Sequence, residues 1–377
     1  MKRIAASLAL ILVCWATAST AAAETIELRL FTDRPVNELT LLAPGWRVTD
    51  GQGRSTDAAR CAVALAGPRR GFRCDVGLLE QPPFTLAKSE AGAAESVILI
   101  VDGERRRYPG RLRFEAAGDR LQPRLTLATE EYVLGVLAAE TVESEAEYLK
   151  AMAICIRGYL RYRQIDAQAP LPDNTRGQMF RGLPDSPRAE LLARLTRETV
   201  GLTPRATARP APVFYHACCG GHTRAVGEVW PTLAAWAHLR GVNDADAEGR
   251  IWCRDSKWSA WQRSVPAPAW RAFLRGEFGA AHARRVADEG PVSLAADAGS
   301  REIGAWKFRM QLGRVLGWNS APSDRFVIVE GDTETILNGH GFGHRVGLCQ
   351  AGALAQARAG KTAEEILRFY FPGIEIK

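Results

Sequence analysis

The spacing of apolar and polar positions changes along this 377-residue chain, and the change predicts its architecture. From residue 24 to about 124, short apolar runs alternate with Gly, Pro and Asp turns: Ile26–Phe31, Ala62–Leu65, Val97–Val101 and Leu112–Phe114. Runs of that length bounded by turn formers predict a β-rich region. From Leu125 the spacing becomes helical. Tyr132, Val133, Val136 and Leu137 share one face, and a second helix is expected to open at Ser144. There Glu147 would complete a capping box ahead of Leu149, Met152, Ala153 and Ile156. Residues 166–186 and 204–212, rich in turn formers, read as loops, and a strand over Val213–His216 delivers the block YHACCGGHT into a turn. Strands at Phe326–Val329 and Thr335–Leu337 lead to a last helical stretch, where Thr362 and Glu365 form another capping box. The whole predicts an α+β fold without internal repeats.

The ends and the charge narrow the setting. Residues 1–23 combine Lys2 and Arg3, an apolar stretch from Ile4 to about Ala16 and small residues Ala21–Ala23, the form of a secretory signal peptide. The apolar run falls short of the roughly 20 residues a spanning helix needs. Export to periplasm or cell wall is therefore expected, with no stable membrane span after cleavage. Removing residues 1–23, which hold two bases and no acid, lowers the net charge from +7 to +5. Such modest basicity suits a polyanionic surface, but no Lys/Arg tract with interleaved aromatics marks a nucleic-acid groove.

Seven cysteines remain: Cys61, Cys74, Cys155, Cys218, Cys219, Cys253 and Cys349. In an oxidising compartment Cys61 and Cys74 read as a hairpin staple worth roughly 2–4 kcal/mol. An odd count leaves at least one thiol free, metal-bound or paired to another molecule. Trp230, Trp236, Trp252, Trp258 and Trp261 are crowded into little more than thirty positions. Such aromatics either stack on sugar rings or fill the core of an irregular segment, and the second reading is preferred.

Three blocks concentrate reactive residues. In EEYVLGVLAAE, Glu140 follows Val133, Val136 and Leu137 by seven, four and three positions, so a helix carries its carboxylate onto the apolar stripe. Burial of that kind raises a carboxyl pKa, as a general acid requires. In YHACCGGHT, His216, Cys218, Cys219 and His222 fall within seven residues and can bind zinc with one further donor. A disulfide from Cys218 or Cys219 to Cys253, or a thiol nucleophile activated by histidine, competes with that reading. In the terminal block, His340, His344 and Gln350 can donate to a ligand, and Gly339, Gly341, Gly343 and Gly347 allow close backbone approach. No βαβ pattern surrounds those glycines, which excludes a dinucleotide loop.

Four stretches, LATEEYVLGVLAAE, EYLKAMAICIRGYL, FYHACCGGHT and GHRVGLCQAGALAQARAGKTAEEILRFYFPG, resemble in order and spacing the SpoIID/LytB family, also called stage II sporulation protein D. The resemblance covers about residues 95–377 and implies a SpoIID-like domain over 125–377, behind the β-rich region that the strand pattern predicts over 24–124. It implies lytic transglycosylase action on peptidoglycan glycan strands, with Glu140 at the catalytic position, or modification of a cell-wall amidase. His344, Gln350 and His340 are the expected substrate-binding residues. No cofactor is required, but a structural zinc on His216, Cys219 and His222 is an expectation carried over from some members. Thr141 and Val142 after the glutamate, Cys155, the run Gln178, Met179 and Phe180, Arg345 and Ala351 depart from the family's usual residues.

Overall fold

The computed structural model describes residues 24–377 except 65–70, 75–76, 90–94, 119, 167–169, 208 and 297–298, so the predicted signal peptide lies outside the described residues. Among the described residues the N-terminal part folds into two antiparallel sheets. One runs Leu171–Pro172, Thr25–Arg29, Arg120–Ala128, Arg111–Ala117, Phe84–Lys88, Trp46–Thr49 and Ser55–Asp57, with the short first member joined in parallel. The other runs Glu104–Pro109, Ser96–Val101, Glu38–Leu42, Arg60–Ala64, Gly71–Cys74 and Gly77–Leu79. Alternation explains the sandwich: along Arg120–Ala128, Leu121, Leu125 and Leu127 are buried while their neighbours are not. Phe72 of the second sheet meets Phe84 and Phe114 of the first at 5.3 and 5.4 Å between ring centres, so the sheets pack face to face. Cys61 and Cys74 sit opposite one another in the ladder and are joined by a disulfide.

The strand Arg120–Ala128 runs directly into helix α1, Thr129–Glu140, followed by α2, Ala146–Asp166, and α3, Ala189–Glu198. One continuous core joins these helices to the sandwich and to the C-terminal helices α6, Gln350–Arg358, and α7, Ala363–Tyr370. The expected capping box at Ser144 does not form. The second helix begins two residues later, at Ala146, and the Glu147 carboxylate instead accepts the backbone N–H of Ala363 at 2.8 Å, covering an open donor at the start of α7. The box at Thr362 and Glu365 is present.

A second core lies between the reactive blocks. The sheet Trp261–Pro266, Glu334–Gly339 and Phe326–Glu330 packs on α4, Ala267–Phe278, and α5, Ala305–Leu316, around Trp270, Phe273 and Phe308. The strand Glu334–Gly339 leaves this second core to deliver the histidine and glycine loop back to the first.

Candidate functional site around Glu140

Helix α1 buries Tyr132, Val133, Val136 and Leu137 completely, and Glu140 is its last residue. Gly135, a costly residue inside a helix, is explained by packing: a Cβ there would come within 2.3 Å of the Phe180 ring. The missing side chain lets the loop carrying Gln178, Met179 and Phe180 lie against α1. Phe180 stacks on Tyr132 at 5.7 Å, and the Met179 N–H then donates to the Glu140 carboxylate at 3.0 Å.

A polar relay runs through the same contact. The Tyr132 hydroxyl donates to the Gln178 amide oxygen at 3.1 Å, Gln178 donates to the Tyr215 hydroxyl at 3.2 Å, and Tyr215 hydrogen-bonds the Glu140 carboxylate. Tyr215 is positioned by the two-residue strand Tyr215–His216, which pairs in parallel with Leu348–Cys349. From that second strand Gln350 reaches back, its amide donating to the Glu140 carbonyl at 3.3 Å.

Burial pushes the Glu140 pKa above its ordinary value, against the lowering pull of the Met179 N–H, the Tyr215 hydroxyl and Arg181. Its place at the negative end of α1 acts in the same direction as burial. The carboxylate opens on a cleft of about 780 Å³ lined also by Tyr148, Trp252, Trp258, Gln350 and Arg358. The other carboxylates on this cleft are engaged by arginines: Glu143 by Arg358 at 3.4 Å, Asp246 by Arg250 at 2.7 Å and Asp255 by Arg254 at 3.8 Å. Glu140, held by a backbone N–H and a phenol, is the cleft acid disposed to keep a proton.

The remaining predicted residues separate. Gln350 lines the cleft, whereas His340 and His344 are absent from its lining among the described residues. His340 hydrogen-bonds the Ser259 carbonyl at 2.8 Å. His344 is packed against Trp230, His216 and Phe214, and burial and Arg309 lower its pKa to about 4, so it stays neutral. Its Nδ1 accepts the Val346 N–H at 3.1 Å. Both histidines brace the loop on which they lie.

Most of the crowded tryptophans are packing residues. Trp230 packs on Phe214, Trp236 on Tyr162 and Trp261 in the second core, but Trp252 and Trp258 face the cleft.

The expected metal trio is not brought together. His216 bonds the Val346 carbonyl at 3.1 Å, and His222 is exposed beyond the turn at Gly220 and Gly221, both at positive φ. Cys219 instead meets Asp244, Cys253 and Cys349, all four buried, with their donor atoms within 4.8 Å of one another. The sequence pattern offers Cys253 as a disulfide partner and carries no sign of Asp244 or Cys349 as donors, since separations of 25 and 130 positions from Cys219 leave no local pattern.

Comparison with known proteins points to the family that the four sequence blocks resemble. Residues 118–204 match the sequence profile described as "Stage II sporulation protein", SpoIID. The chain is similar to stage II sporulation protein D of Bacillus subtilis, 26% identical over 278 residues, covering 66% of this chain and 74% of the relative. An uncharacterized protein of Brachyspira hyodysenteriae is 27% identical over 277 residues, covering 71% of this chain and 72% of the relative. A stretch of 49 residues, 13% of this chain and 7% of the relative, is 45% identical to the amidase enhancer of Bacillus subtilis.

Proposed function

We propose that this chain, which carries a SpoIID-family domain over residues 118–204, is an exported peptidoglycan lytic transglycosylase with Glu140 as its acid and base. The observation that carries the reading is the half-enclosed Glu140 carboxyl, with its raised pKa, at the wall of a cleft large enough for sugar rings. The cut bond joins N-acetylmuramic acid to N-acetylglucosamine. Glu140 gives its proton to the leaving oxygen as that glycosidic bond breaks. The resulting carboxylate then takes the proton of the muramoyl hydroxymethyl group, whose oxygen bonds the anomeric carbon and closes an anhydro ring. The proton count returns to its start and no water is consumed. Because the nucleophile belongs to the substrate, one carboxyl suffices, unlike the paired acids of hydrolytic glycosidases.

The cleft residues suit such a substrate. Trp252 offers a face for a sugar ring, while Trp258 is stacked on Phe342 at 4.6 Å, and Gln350 and Arg358 offer donors to hydroxyl and acyl oxygens. Similarity to a protein named amidase enhancer supports a second reading, a wall-binding partner that stimulates a cell-wall amidase without cutting glycan. A zinc amidase or peptidase reading would need an open metal position, and chelator-sensitive release of stem peptides would favour it.

Incubating the purified protein with glycan strands stripped of stem peptides separates the first two readings. Anhydromuramoyl ends detected by mass spectrometry support the transglycosylase. Their absence, together with faster amidase turnover when the protein is added, overturns it in favour of the partner.

A further inference from the structure

We infer that Cys219, Asp244, Cys253 and Cys349 bind one divalent metal ion of the zinc class, as a closed structural site that fastens the walls of the Glu140 cleft. These four side chains form such a site whatever the role of Glu140. Two sulfurs each about 2.3 Å from a tetrahedral ion lie about 3.8 Å apart, and the Cys219 and Cys253 sulfurs are separated by 3.6 Å. All four residues are at most 1% exposed. Three soft thiolates and one carboxylate in that geometry select zinc over magnesium or calcium, which prefer all-oxygen shells.

The surroundings are those of thiolates. The Cys349 sulfur accepts backbone N–H groups from Cys219 at 3.3 Å and from Gly352 at 3.4 Å, as the N-cap of α6, where the helix dipole favours negative charge. The Cys219 sulfur accepts the Gly221 N–H at 3.4 Å, because Gly220 and Gly221 adopt positive φ and fold the chain back over it. Asp244 is fixed by the Tyr370 hydroxyl at 2.6 Å and by backbone bonds to Gly221 and Trp252. A Cβ on Gly352 would lie 2.2 Å from that hydroxyl and 2.6 Å from the carboxylate. A Cys219–Cys253 disulfide would leave the Cys349 sulfur and the Asp244 carboxylate buried together with no cation to offset them. Four protein donors leave no position for water, so the ion holds structure rather than performing catalysis.

The ligands lie on three segments that build the site. Cys219 follows Tyr215, which holds the Glu140 carboxyl; Cys253 follows Trp252 on the cleft wall; and Cys349 precedes Gln350, which bonds the Glu140 carbonyl. Cys218, also buried, contacts the Cys253 and Cys349 sulfurs and stands outside the set.

The test is elemental analysis of the full chain, exported and purified without chelator, with parallel peptide mapping of its disulfides. One equivalent of zinc-class metal per chain is expected, and cobalt-loaded protein should show thiolate-to-cobalt charge-transfer absorption. Cys253→Ser and Asp244→Asn should lose the metal while Cys218→Ser keeps it. Cys349→Ser retains an N-cap oxygen, so its circular dichroism keeps the test meaningful should Cys253→Ser fail to fold. Metal-free protein with a mapped Cys219–Cys253 disulfide overturns the site, as does metal retained by Asp244→Asn but lost by Cys218→Ser.

Discussion

Replacing Tyr215 by Phe removes one hydroxyl from the centre of the site and leaves the ring in place. That hydroxyl accepts from Gln178 at 3.2 Å and hydrogen-bonds Glu140, favouring the charged carboxylate. A hydrogen bond to a charged group is worth about 1.5–3 kcal/mol. At 1.36 kcal/mol per pKa unit, its loss raises the Glu140 pKa by about 1–2 units. A protonated acid then persists to higher pH, so the alkaline limb of the cleavage rate against pH should move upward by about the same amount. The shift can also be read without turnover, by infrared titration of the protonated carboxyl band with the Glu140→Gln spectrum subtracted. Stability should fall by about 1–3 kcal/mol, because the Gln178 amide loses its acceptor. An unmoved limb, or one displaced toward acid, in a folded Tyr215→Phe protein would refute the proposed control of Glu140.

Glu140→Gln should also change how stability depends on pH. A raised folded pKa means the folded state binds more protons than the unfolded one between the two pKa values. The wild type therefore loses stability as pH rises from about 4.5 through the folded pKa. The advantage of the Gln variant in urea melts should grow over that window and then level off; a constant difference would contradict it. Gly347→Ala should destabilise by about 1–3 kcal/mol from strain at φ +75°, and more from a Cβ 2.3 Å from the Phe214 carbonyl, read as a lowered melting temperature. Phe308→Ala, at the centre of a ring cluster with Trp270, Phe273, Phe278 and Phe326, should cost about 3–5 kcal/mol. Because that core is separate, limited proteolysis should cut first within residues 261–339; first cuts in the N-terminal sandwich would oppose the division.

How much was legible in the sequence depended on the range of the interaction. The α1 stripe and Glu140 at its end could be read because a helix repeats every few residues, and the buried set Tyr132, Val133, Val136 and Leu137 matches that spacing. The Thr362 box was legible for the same reason. Its counterpart at Ser144 was misread because the chain 216 positions away offers Glu147 a better donor at Ala363. His216 and His222 looked like ligands through proximity in sequence. The strand faces His216 toward Val346, and the paired glycines turn His222 out to solvent. Only three-dimensional closure places Cys349 and Asp244 beside Cys219. The odd cysteine count and the YHACCGGHT block were the local signs that thiols beyond the hairpin disulfide had a use.

The central claim, that one partly enclosed carboxyl cuts the glycan, is tested most directly by the initial rate at which anhydromuramoyl ends form on denuded strands, for wild type and for Glu140→Gln. A fall of about 10²–10⁴ is expected in the variant, the scale of a lost acid-base group, with its circular dichroism intact and its melting still cooperative. Equal rates from the two folded proteins would contradict it.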